Sequence, residues 1–259
     1  MARIFITGSS DGLGSTVANR LISRGHRVVL HARNAQRASD ATAACPKAET
    51  VVTGDLSSIS ETKKLAEDVN KLGAFDVVIH NAGLYRGPYR ETVDGIPALA
   101  AVNTLAPYIL TCLIKHPKRL VFVSSDMHQS GDDSLEDILW QRRGEKEYND
   151  VKAYRASKVH NVIFAKAFGR RWPDVKSNSL DPGWLPTKMG GAHASGDVEA
   201  AVATYVMLAE GEEKDAQRSG IYYNPGPIEG KAQAGCDDED KQERLLSICA
   251  EFTGVQVPE

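Results

Sequence analysis

The chain has 259 residues, of which 42% are hydrophobic and 25% are charged, and its net charge is −3. This length and composition predict one globular α/β domain over residues 1–259, without the basic surface that nucleic-acid binding requires. No apolar run approaches the length of a membrane span. We expect no signal peptide, because the apolar run Ile4–Ile6 is too short for one and leads straight into a glycine turn.

Short β-branched runs alternate with stretches of helical character along the chain. The predicted strands are Arg3–Thr7, Arg27–His31, Glu49–Thr53, Phe75–His80, Arg119–Ser124, Val175–Leu180 and Gly220–Tyr223. Apolar stripes at helical spacing are Leu13, Val17, Leu21 and Ile22; Leu65, Val69 and Leu72; and Val159, Val162, Ile163 and Phe164. This alternation predicts one doubly wound Rossmann-type domain, with about seven parallel strands and helices on both faces of the sheet. Ligands of such sheets bind at the carboxyl ends of the strands.

A glycine-rich turn follows the first strand directly. It reads Thr7-Gly8-Ser9-Ser10-Asp11-Gly12-Leu13-Gly14. Glycines here let the chain turn sharply into a helix, and they let backbone N–H groups approach a pyrophosphate without Cβ atoms in the way. The position after the first strand favours this interpretation over a plain βα turn. The predicted cofactor contacts are Gly8, Ser10, Gly12, Leu13 and Gly14.

The second strand ends at His31-Ala32-Arg33-Asn34, without the acidic residue that NAD-binding sites usually place there. Arg33 can instead pair with a 2′-phosphate through charge-assisted hydrogen bonds. We therefore predict NADP(H), with NAD(H) as the less favoured cofactor. A solvated arginine is the alternative, and the negative charge of Asp11 nearby weakens the prediction.

Two further strand ends carry predicted cofactor contacts. Asp55 and Leu56 follow the third strand, where a carboxylate could accept a hydrogen bond from the adenine amino group. The fourth strand ends at Asn81-Ala82-Gly83, where small residues would let the backbone lie against the cofactor. Each of these signals is weak by itself.

Tyr154 and Lys158 lie four residues apart, on one face of a predicted helix. A free phenol has a pKa of about 10, and a neighbouring ammonium group favours the phenolate, so we expect Lys158 to lower the pKa of Tyr154. The phenol could then give a proton to a carbonyl oxygen as hydride arrives, or take one in reverse. Ser125, at the end of the fifth strand, is placed to hold the substrate oxygen.

Two segments fall outside the strand–helix rhythm. Gly183–Gly196 is rich in glycine, and we predict that it contacts substrate. Asp126–Asp150 is polar, and its sequence fits a substrate loop and a surface insertion equally well. Trp184, Tyr85 and Met189 either line an apolar pocket or serve as packing.

Cysteines and histidines show no metal-like spacing. The four cysteines are scattered, which predicts a reducing, cytoplasmic location. The seven histidines form no pair four residues apart, so we predict no metal site. We expect His31, His116 and His193 to be solvated or packed rather than to act as ligands.

The motifs and their order resemble those of the single-domain short-chain dehydrogenases/reductases over nearly the whole chain. The resemblance implies an NAD(P)-dependent oxidoreductase with a tetrad of Asn103, Ser125, Tyr154 and Lys158. In that family the asparagine supports a water that links the lysine to a proton relay, and the lysine also bonds the nicotinamide ribose. The residues expected to flank the nicotinamide are Pro182, Gly183, Leu185 and Thr187.

The long segment between Ser125 and Tyr154, together with the tail Gly220–Tyr223, is similar to the branch of retinol dehydrogenases and the WW-domain oxidoreductase. That resemblance implies NADP and an apolar carbonyl or alcohol substrate. The family often forms homo-oligomers through the helices that carry Asn103 and Tyr154. Pro107 removes a backbone donor from the first of these helices and predicts a kink there.

The predicted activity is the interconversion of a carbonyl and an alcohol by hydride transfer, with Tyr154 as general acid and base. One alternative is a catalytically silent NADP-binding redox sensor, which would need neither Tyr154 nor Ser125. Another is a sugar-nucleotide epimerase or dehydratase. The glycine spacing and the short tail after Gly196 disfavour this last interpretation.

Overall fold

One twisted sheet with helices on both faces forms the protein, and the computed structural model describes all residues 1–259. The strands are β1 (Arg3–Ile6), β2 (Arg27–Ala32), β3 (Thr50–Thr53), β4 (Val77–His80), β5 (Arg119–Val123), β6 (Lys176–Leu180), β7 (Tyr222–Asn224) and β8 (Ile228–Glu229). The helices are α1 (Gly12–Ser23), α2 (Ala35–Ala44), α3 (Ile59–Lys71), α4 (Ala98–Ala100), α5 (Ala106–Leu113), α6 (Asp150–Arg171), α7 (Val198–Glu210) and α8 (Glu239–Thr253). No helix is both long enough and apolar enough to cross a membrane.

The strand order β3-β2-β1-β4-β5-β6-β7-β8 confirms the predicted doubly wound α/β fold. Strands β1 to β7 are all parallel to their neighbours, and each corresponds to one predicted strand. The eighth strand corrects the expected count and the expectation of a purely parallel sheet, because β8 pairs antiparallel with β7. Both residues of β8 are exposed, so no hydrophobic pattern marked it. The tail after Gly196 thus completes the same sheet and builds no second domain.

Alternating side chains along each strand supply two separate cores. Ile4 and Ile6 point to one face with Val17 and Leu21 of α1, and α7 covers the same face. Phe5, between them in sequence, points to the opposite face, which is packed by α3, α5, α6 and α8. Both faces are buried, which explains why strands such as β1, β4 and β5 read as continuous apolar runs rather than as alternating ones.

Pro107 produces the predicted irregularity, in the form of a π-helical turn. Residues Ala101–Leu105 form this turn between α4 and α5, with Asn103 at its centre. Proline has no N–H to donate to the carbonyl four residues earlier. The Asn103 carbonyl instead accepts a hydrogen bond from Nδ2 of Asn161 on α6, at 3.1 Å. Turns of this kind occur frequently at functional sites.

The helices expected to form an oligomer are covered by the chain itself. Helix α8 packs against both α5 and α6, with Cys249 and Ala250 inside the common core. Beyond α8, the carbonyl of Val255 accepts a hydrogen bond from the Tyr108 hydroxyl at 2.7 Å. The fold therefore gives no support to assembly through these two helices.

Candidate active site

A cleft of about 1200 Å³ opens along the carboxyl ends of the central strands. It brings together nearly all the predicted site residues, although they are scattered along the chain. Those on its wall are Gly8, Ser10, Gly12, Leu13, Gly14, Arg33, Asp55, Leu56, Asn81, Ala82, Gly83, Ser125, Tyr154, Lys158, Pro182, Gly183, Leu185 and Thr187. Asn103 is the exception and lies behind the wall.

The glycine turn is packed too tightly for any side chain at two positions. Gly8 has a left-handed backbone (φ 62°), and a Cβ there would lie 2.7 Å from Cα of Ala82. A Cβ on Gly14 would lie 2.6 Å from Nδ2 of Asn81. Since the Asn81 amide donates to the carbonyls of Thr7 and Gly8 at 2.9 and 3.0 Å, the ends of β1 and β4 are tied together. Gly12 (φ 56°) is the position of the turn where bare backbone faces open space, as binding of a pyrophosphate requires.

His31 is packed, as expected, but it also supports the glycine turn. Its Nδ1 accepts a hydrogen bond from the N–H of Gly8 at 3.0 Å, so Nε2 carries the proton and donates to the Gly54 carbonyl at 2.9 Å. Burial lowers the pKa of His31, which keeps the ring neutral and Nδ1 free to accept. Sequence reasoning did not find this role, because it depends on β2 lying beside β1.

Two arginines stand at the edge of the cleft beyond β2. Arg33 is exposed, whereas Arg37 donates to the Ser10 hydroxyl at 3.1 Å and forms an ion pair with Asp11 at 2.7 Å. Lys188 also pairs with Asp11, at 3.0 Å. Burial alone would raise the pKa of Asp11, but these two cations hold it below its usual value. The negative charge of Asp11, which weakened the prediction of NADP, is therefore neutralised by Arg37 and Lys188.

Sequence reasoning missed Arg37. A usable signal was present, since Asn34 caps α2 by accepting the backbone N–H of Arg37 at 3.0 Å. That cap fixes Arg37 in the first turn of the helix, close to Arg33. On the opposite side of this region, Asp55 uses Oδ1 to hold the N–H and hydroxyl of Ser57 at 2.9 and 2.7 Å. Only its other carboxylate oxygen is open to an adenine group.

The Tyr154 phenol is 7% exposed, and the Tyr85 ring stands edge-on to it at 4.8 Å between centroids. The prediction that Lys158 lowers the pKa of Tyr154 is wrong for this structure. Burial raises the pKa of Tyr154 above its usual value; the Ser125 hydroxyl opposes this and the charge of Asp181 reinforces it. Lys158 lies 5.3 Å from the ring centroid and does not reverse the shift.

Lys158 is itself buried, at 5% exposure, and burial lowers its pKa to about 8. Its Nζ donates to the Val123 carbonyl at 2.9 Å rather than to the phenol. A Cβ built on Gly83 would lie 3.6 Å from this Nζ, so the ammonium faces the bare backbone after β4. This position is open to a ligand lying against that backbone.

The two adjacent serines at the end of β5 have different surroundings. The Ser124 hydroxyl is buried and donates to the Lys158 carbonyl at 2.7 Å, so it is committed to the fold. The Ser125 hydroxyl is partly exposed in the cleft and accepts the N–H of Met127 at 3.2 Å. Its proton is not committed to the backbone and faces the Tyr154 phenol, where a carbonyl oxygen could accept it.

Asn103 clamps the segment that follows β4. Its Oδ1 accepts from the Leu84 N–H at 2.8 Å, while Nδ2 donates to the Leu84 carbonyl at 2.9 Å and to the Ser157 hydroxyl at 3.1 Å. The side chain therefore joins the backbone beside Gly83 to the helix that carries Lys158. Both groups are held in register without Asn103 reaching the cleft surface.

The long segment before α6 supports Tyr154 from behind, while its first two residues, Asp126 and Met127, line the cleft. Trp140, in this segment, packs in one buried cluster with Leu99, Ala153 and Tyr154. The Arg143 guanidinium covers its ring at 3.8 Å. The segment reaches this arrangement through a left-handed backbone at Trp140 (φ 57°), a strained conformation for a non-glycine residue.

The segment after β6 forms the opposite wall of the cleft. Thr187 lies across from the glycine turn, 4.0 Å from where a Cβ on Gly12 would stand. Trp184 and Met189 line the cleft yet remain 56% and 50% exposed. The predicted substrate segment is thus brought to the site, and both apolar side chains face an accessible space.

Asp181 is a cleft residue that sequence reasoning did not single out. It is 8% exposed, directly before Pro182 and Gly183, and its Oδ1 accepts the Gly183 N–H at 2.9 Å. Burial raises its pKa, while the N–H groups of Gly183 and Asp126 oppose the shift. An acidic residue at the carboxyl end of a predicted strand was the available signal.

A glycine turn after β1 and a buried Tyr–Lys pair at one edge of this fold are typical of nicotinamide-dependent oxidoreductases. The family model "short chain dehydrogenase" matches residues 2–131. The chain is 45% identical over 258 residues to the short-chain dehydrogenase chyC of Penicillium rubens, covering 100% of both chains. The chain therefore belongs to the short-chain dehydrogenase family.

Other relatives agree with this assignment. Human retinol dehydrogenase 13 is 29% identical over 291 residues, which span 98% of this chain and 85% of that protein. A crystal structure of a putative uncharacterized protein from Mycobacterium paratuberculosis superposes with a TM-score of 0.83 at 25% identity, over 100% of this chain and 96% of that one. The likeness to retinol dehydrogenases confirms the predicted branch.

Proposed function

We propose that this protein is an NADP(H)-dependent reductase of ketones or aldehydes, with Tyr154 as the proton donor. The observation that carries the proposal is the buried Tyr154 phenol, next to the free Ser125 hydroxyl and to Lys158, at the strand ends that also carry the glycine turn. A redox sensor that only bound the dinucleotide would have no need of a phenol and a hydroxyl converging on open space.

The residues present fit a nicotinamide dinucleotide. Gly8 and Gly14 pack the turn tightly against the protein, and Gly12 presents backbone without a side chain to the open cleft, where a pyrophosphate would lie. When bound, the nicotinamide supplies the hydride. Lys158 faces the backbone at Gly83 and is placed to donate to ribose hydroxyls.

The chain's own groups handle the proton. Ser125 donates a hydrogen bond to the carbonyl oxygen and orients it. Tyr154 would give its proton to that oxygen as the carbonyl carbon receives hydride, so that one carbonyl, one hydride and one proton become one alcohol. The phenolate left on Tyr154 then regains its proton from solvent. Burial raises the pKa of Tyr154, which keeps the phenol protonated at neutral pH. A protonated phenol is the form that reduction requires, and this supports reduction as the working direction.

The first experiment is a comparison of NADPH with NADH oxidation against a panel of aldehydes, ketones and quinones. We expect turnover with NADPH, and the preferred panel members will outline the pocket. Binding of NADPH measured by fluorescence, without turnover of any carbonyl or of any alcohol with NADP+, would favour the redox-sensor alternative instead.

The preference for NADP(H) is proposed to rest on Arg33 and Arg37. Replacing Arg37 by alanine removes one charge-assisted partner of a 2′-phosphate, and it also leaves the Asp11 carboxylate less neutralised. We expect kcat/KM for NADPH to fall by about 10- to 100-fold, since hydrogen bonds to charged groups contribute about 1.5–3 kcal/mol each. The kcat/KM for NADH should change little, because NADH has no 2′-phosphate for Arg37 to bind.

The matched control is Arg20→Ala, which removes an exposed arginine that pairs with Glu199 outside the cleft. This variant should keep the wild-type ratio of NADPH to NADH efficiency. An unchanged ratio in Arg37→Ala, in Arg33→Ala and in the double variant would contradict the proposed phosphate site.

A further inference from the structure

Charged groups are distributed unevenly along the cleft. Arg33 and Arg37 follow β2, whereas Asp126 and Asp181 follow β5 and β6. In the strand order, β2 and β6 are four strand spacings apart, roughly 19 Å. The end of the cleft that contains Tyr154 therefore holds two carboxyl groups, with Lys158 as the neighbouring cation. At the end proposed for the cofactor phosphate, Arg37 is already paired with Asp11 and Asp40.

Asp181 lies next to the residues that would bind the carbonyl. The preceding residue, Leu180, accepts the N–H of Ser124 at 2.7 Å, so Asp181 and Ser125 leave neighbouring strands side by side. The carboxyl group is 8% exposed and is fixed by the hydrogen bond from the Gly183 N–H at 2.9 Å. It is a fixed acceptor that follows the strand next to the one that Ser125 follows, and the backbones of such paired strands are roughly 5 Å apart.

No cation neutralises this carboxyl by contact. Lys158 directs its Nζ to the Val123 carbonyl, and Asp181 forms no ion pair. The nearby cleft wall also includes the apolar side chains of Met127 and Trp184. The backbone N–H groups of Gly183 and Asp126 hydrogen-bond to this carboxyl, but no side chain donates to it. A donor on a ligand in the cleft would therefore add a charge-assisted hydrogen bond.

We propose that the substrate carries an N–H or O–H donor beside its reactive carbonyl, and that Asp181 accepts this donor while Ser125 and Tyr154 bind the carbonyl oxygen. The inference rests on the proposed reductase function and names the substrate class of the same site. Because Met127 and Trp184 line the cleft, the donor belongs to an otherwise apolar or aromatic ketone.

The test compares 2-acetylpyrrole with 2-acetylfuran, two ketones of similar shape that differ in a ring N–H against a ring oxygen. kcat/KM with NADPH is measured for wild type, Asp181→Asn and Asp126→Asn. The Asp181→Asn variant keeps an oxygen for the Gly183 N–H, and it turns an NH₂ group towards the cleft. Asp126→Asn is the matched control, since it removes a charge from the same end of the cleft at an exposed position.

We expect wild type to prefer the pyrrole ketone by about 10- to 100-fold, after correction for the rates at which borohydride reduces the two ketones. Asp181→Asn should lower this preference by about 10-fold or more, and Asp126→Asn should not. Intrinsic ketone reactivity cancels when the ratio is compared between enzyme forms. The affinity for NADPH, measured by fluorescence, should be the same in Asp181→Asn as in wild type. That result would show that the substitution leaves the cofactor site intact.

Equal efficiency with the two ketones in wild type, or an equal ratio in wild type and Asp181→Asn, would overturn this inference and leave the reductase function standing. If Asp181→Asn fails to fold, the corrected wild-type preference decides by itself. Absence of NADPH oxidation with every carbonyl in the broader panel would overturn the proposed function, and this inference with it.

Discussion

Replacing Tyr154 by phenylalanine is expected to lower kcat for carbonyl reduction by about 10²- to 10⁴-fold, the usual contribution of a positioned proton donor. The ring would still fill its place against Tyr85 and Trp140, so the fold and the cleft should be preserved. NADPH affinity should stay close to wild type, because only the phenol hydroxyl is lost. Single-turnover kinetics with NADPH would separate the loss of chemistry from any change in binding.

Tyr85→Phe is the matched control for this variant. Tyr85 lines the same cleft and touches Tyr154, yet its hydroxyl has no part in the proposed proton transfer. We expect its kcat to remain within about 3-fold of wild type, as for a hydroxyl that makes no transition-state contact. Turnover that survives in Tyr154→Phe would contradict the assigned proton donor.

Gly14→Ala is expected to lower both the stability of the fold and the affinity for the cofactor. The added Cβ would stand 2.6 Å from Asn81 Nδ2 and 3.0 Å from Ser9 Cα. Asn81 cannot move aside, because its Nδ2 holds two carbonyls of the turn and its Oδ1 accepts the Tyr205 hydroxyl at 3.0 Å. The turn itself must shift, and overpacking of this kind costs about 1–3 kcal/mol.

Urea unfolding should therefore show a lower midpoint for Gly14→Ala, and NADPH titration should show an affinity reduced by about 10-fold or more, since about 1.4 kcal/mol of lost binding corresponds to tenfold. Thr16→Ala is the control on the same helix, where the side chain is exposed. It should change neither quantity appreciably. Wild-type NADPH affinity in Gly14→Ala would show that the tight turn is not needed for the cofactor.

Most strands of this protein, and the glycine turn and Tyr154–Lys158 pair of its cleft, could be predicted from local sequence patterns. Apolar β-branched runs such as Val28–Leu30 mark strands, because both faces of a parallel sheet are buried and no polar residue interrupts them. The glycine turn and Tyr154–Lys158 could be assigned to one cleft for a topological reason. The carboxyl ends of parallel strands meet at one edge of the sheet, so residues far apart in sequence converge there.

Other features depend on contacts between distant segments, and local pattern carries little information about them. The strand β8 is two exposed residues that pair only because β7 offers a free edge. Arg37 reaches Ser10 and Asp11 because α2 begins beside the glycine turn. The packing of Trp140 behind Tyr154 requires a backbone conformation that its sequence does not favour.

The sequence by itself determined the fold class and the parallel core of the sheet, since these follow from hydrophobic periodicity and chain connectivity. Its motifs, with the family resemblance they carry, identified most of the residues that line the cleft. Only the tertiary structure decided the electrostatics of that cleft. Burial raises the pKa of Tyr154, against the expected effect of Lys158. The pairing of β5 with β6 brings Asp181 beside Ser125. Desolvation depends on everything packed around a group, and that packing exists only in the folded chain.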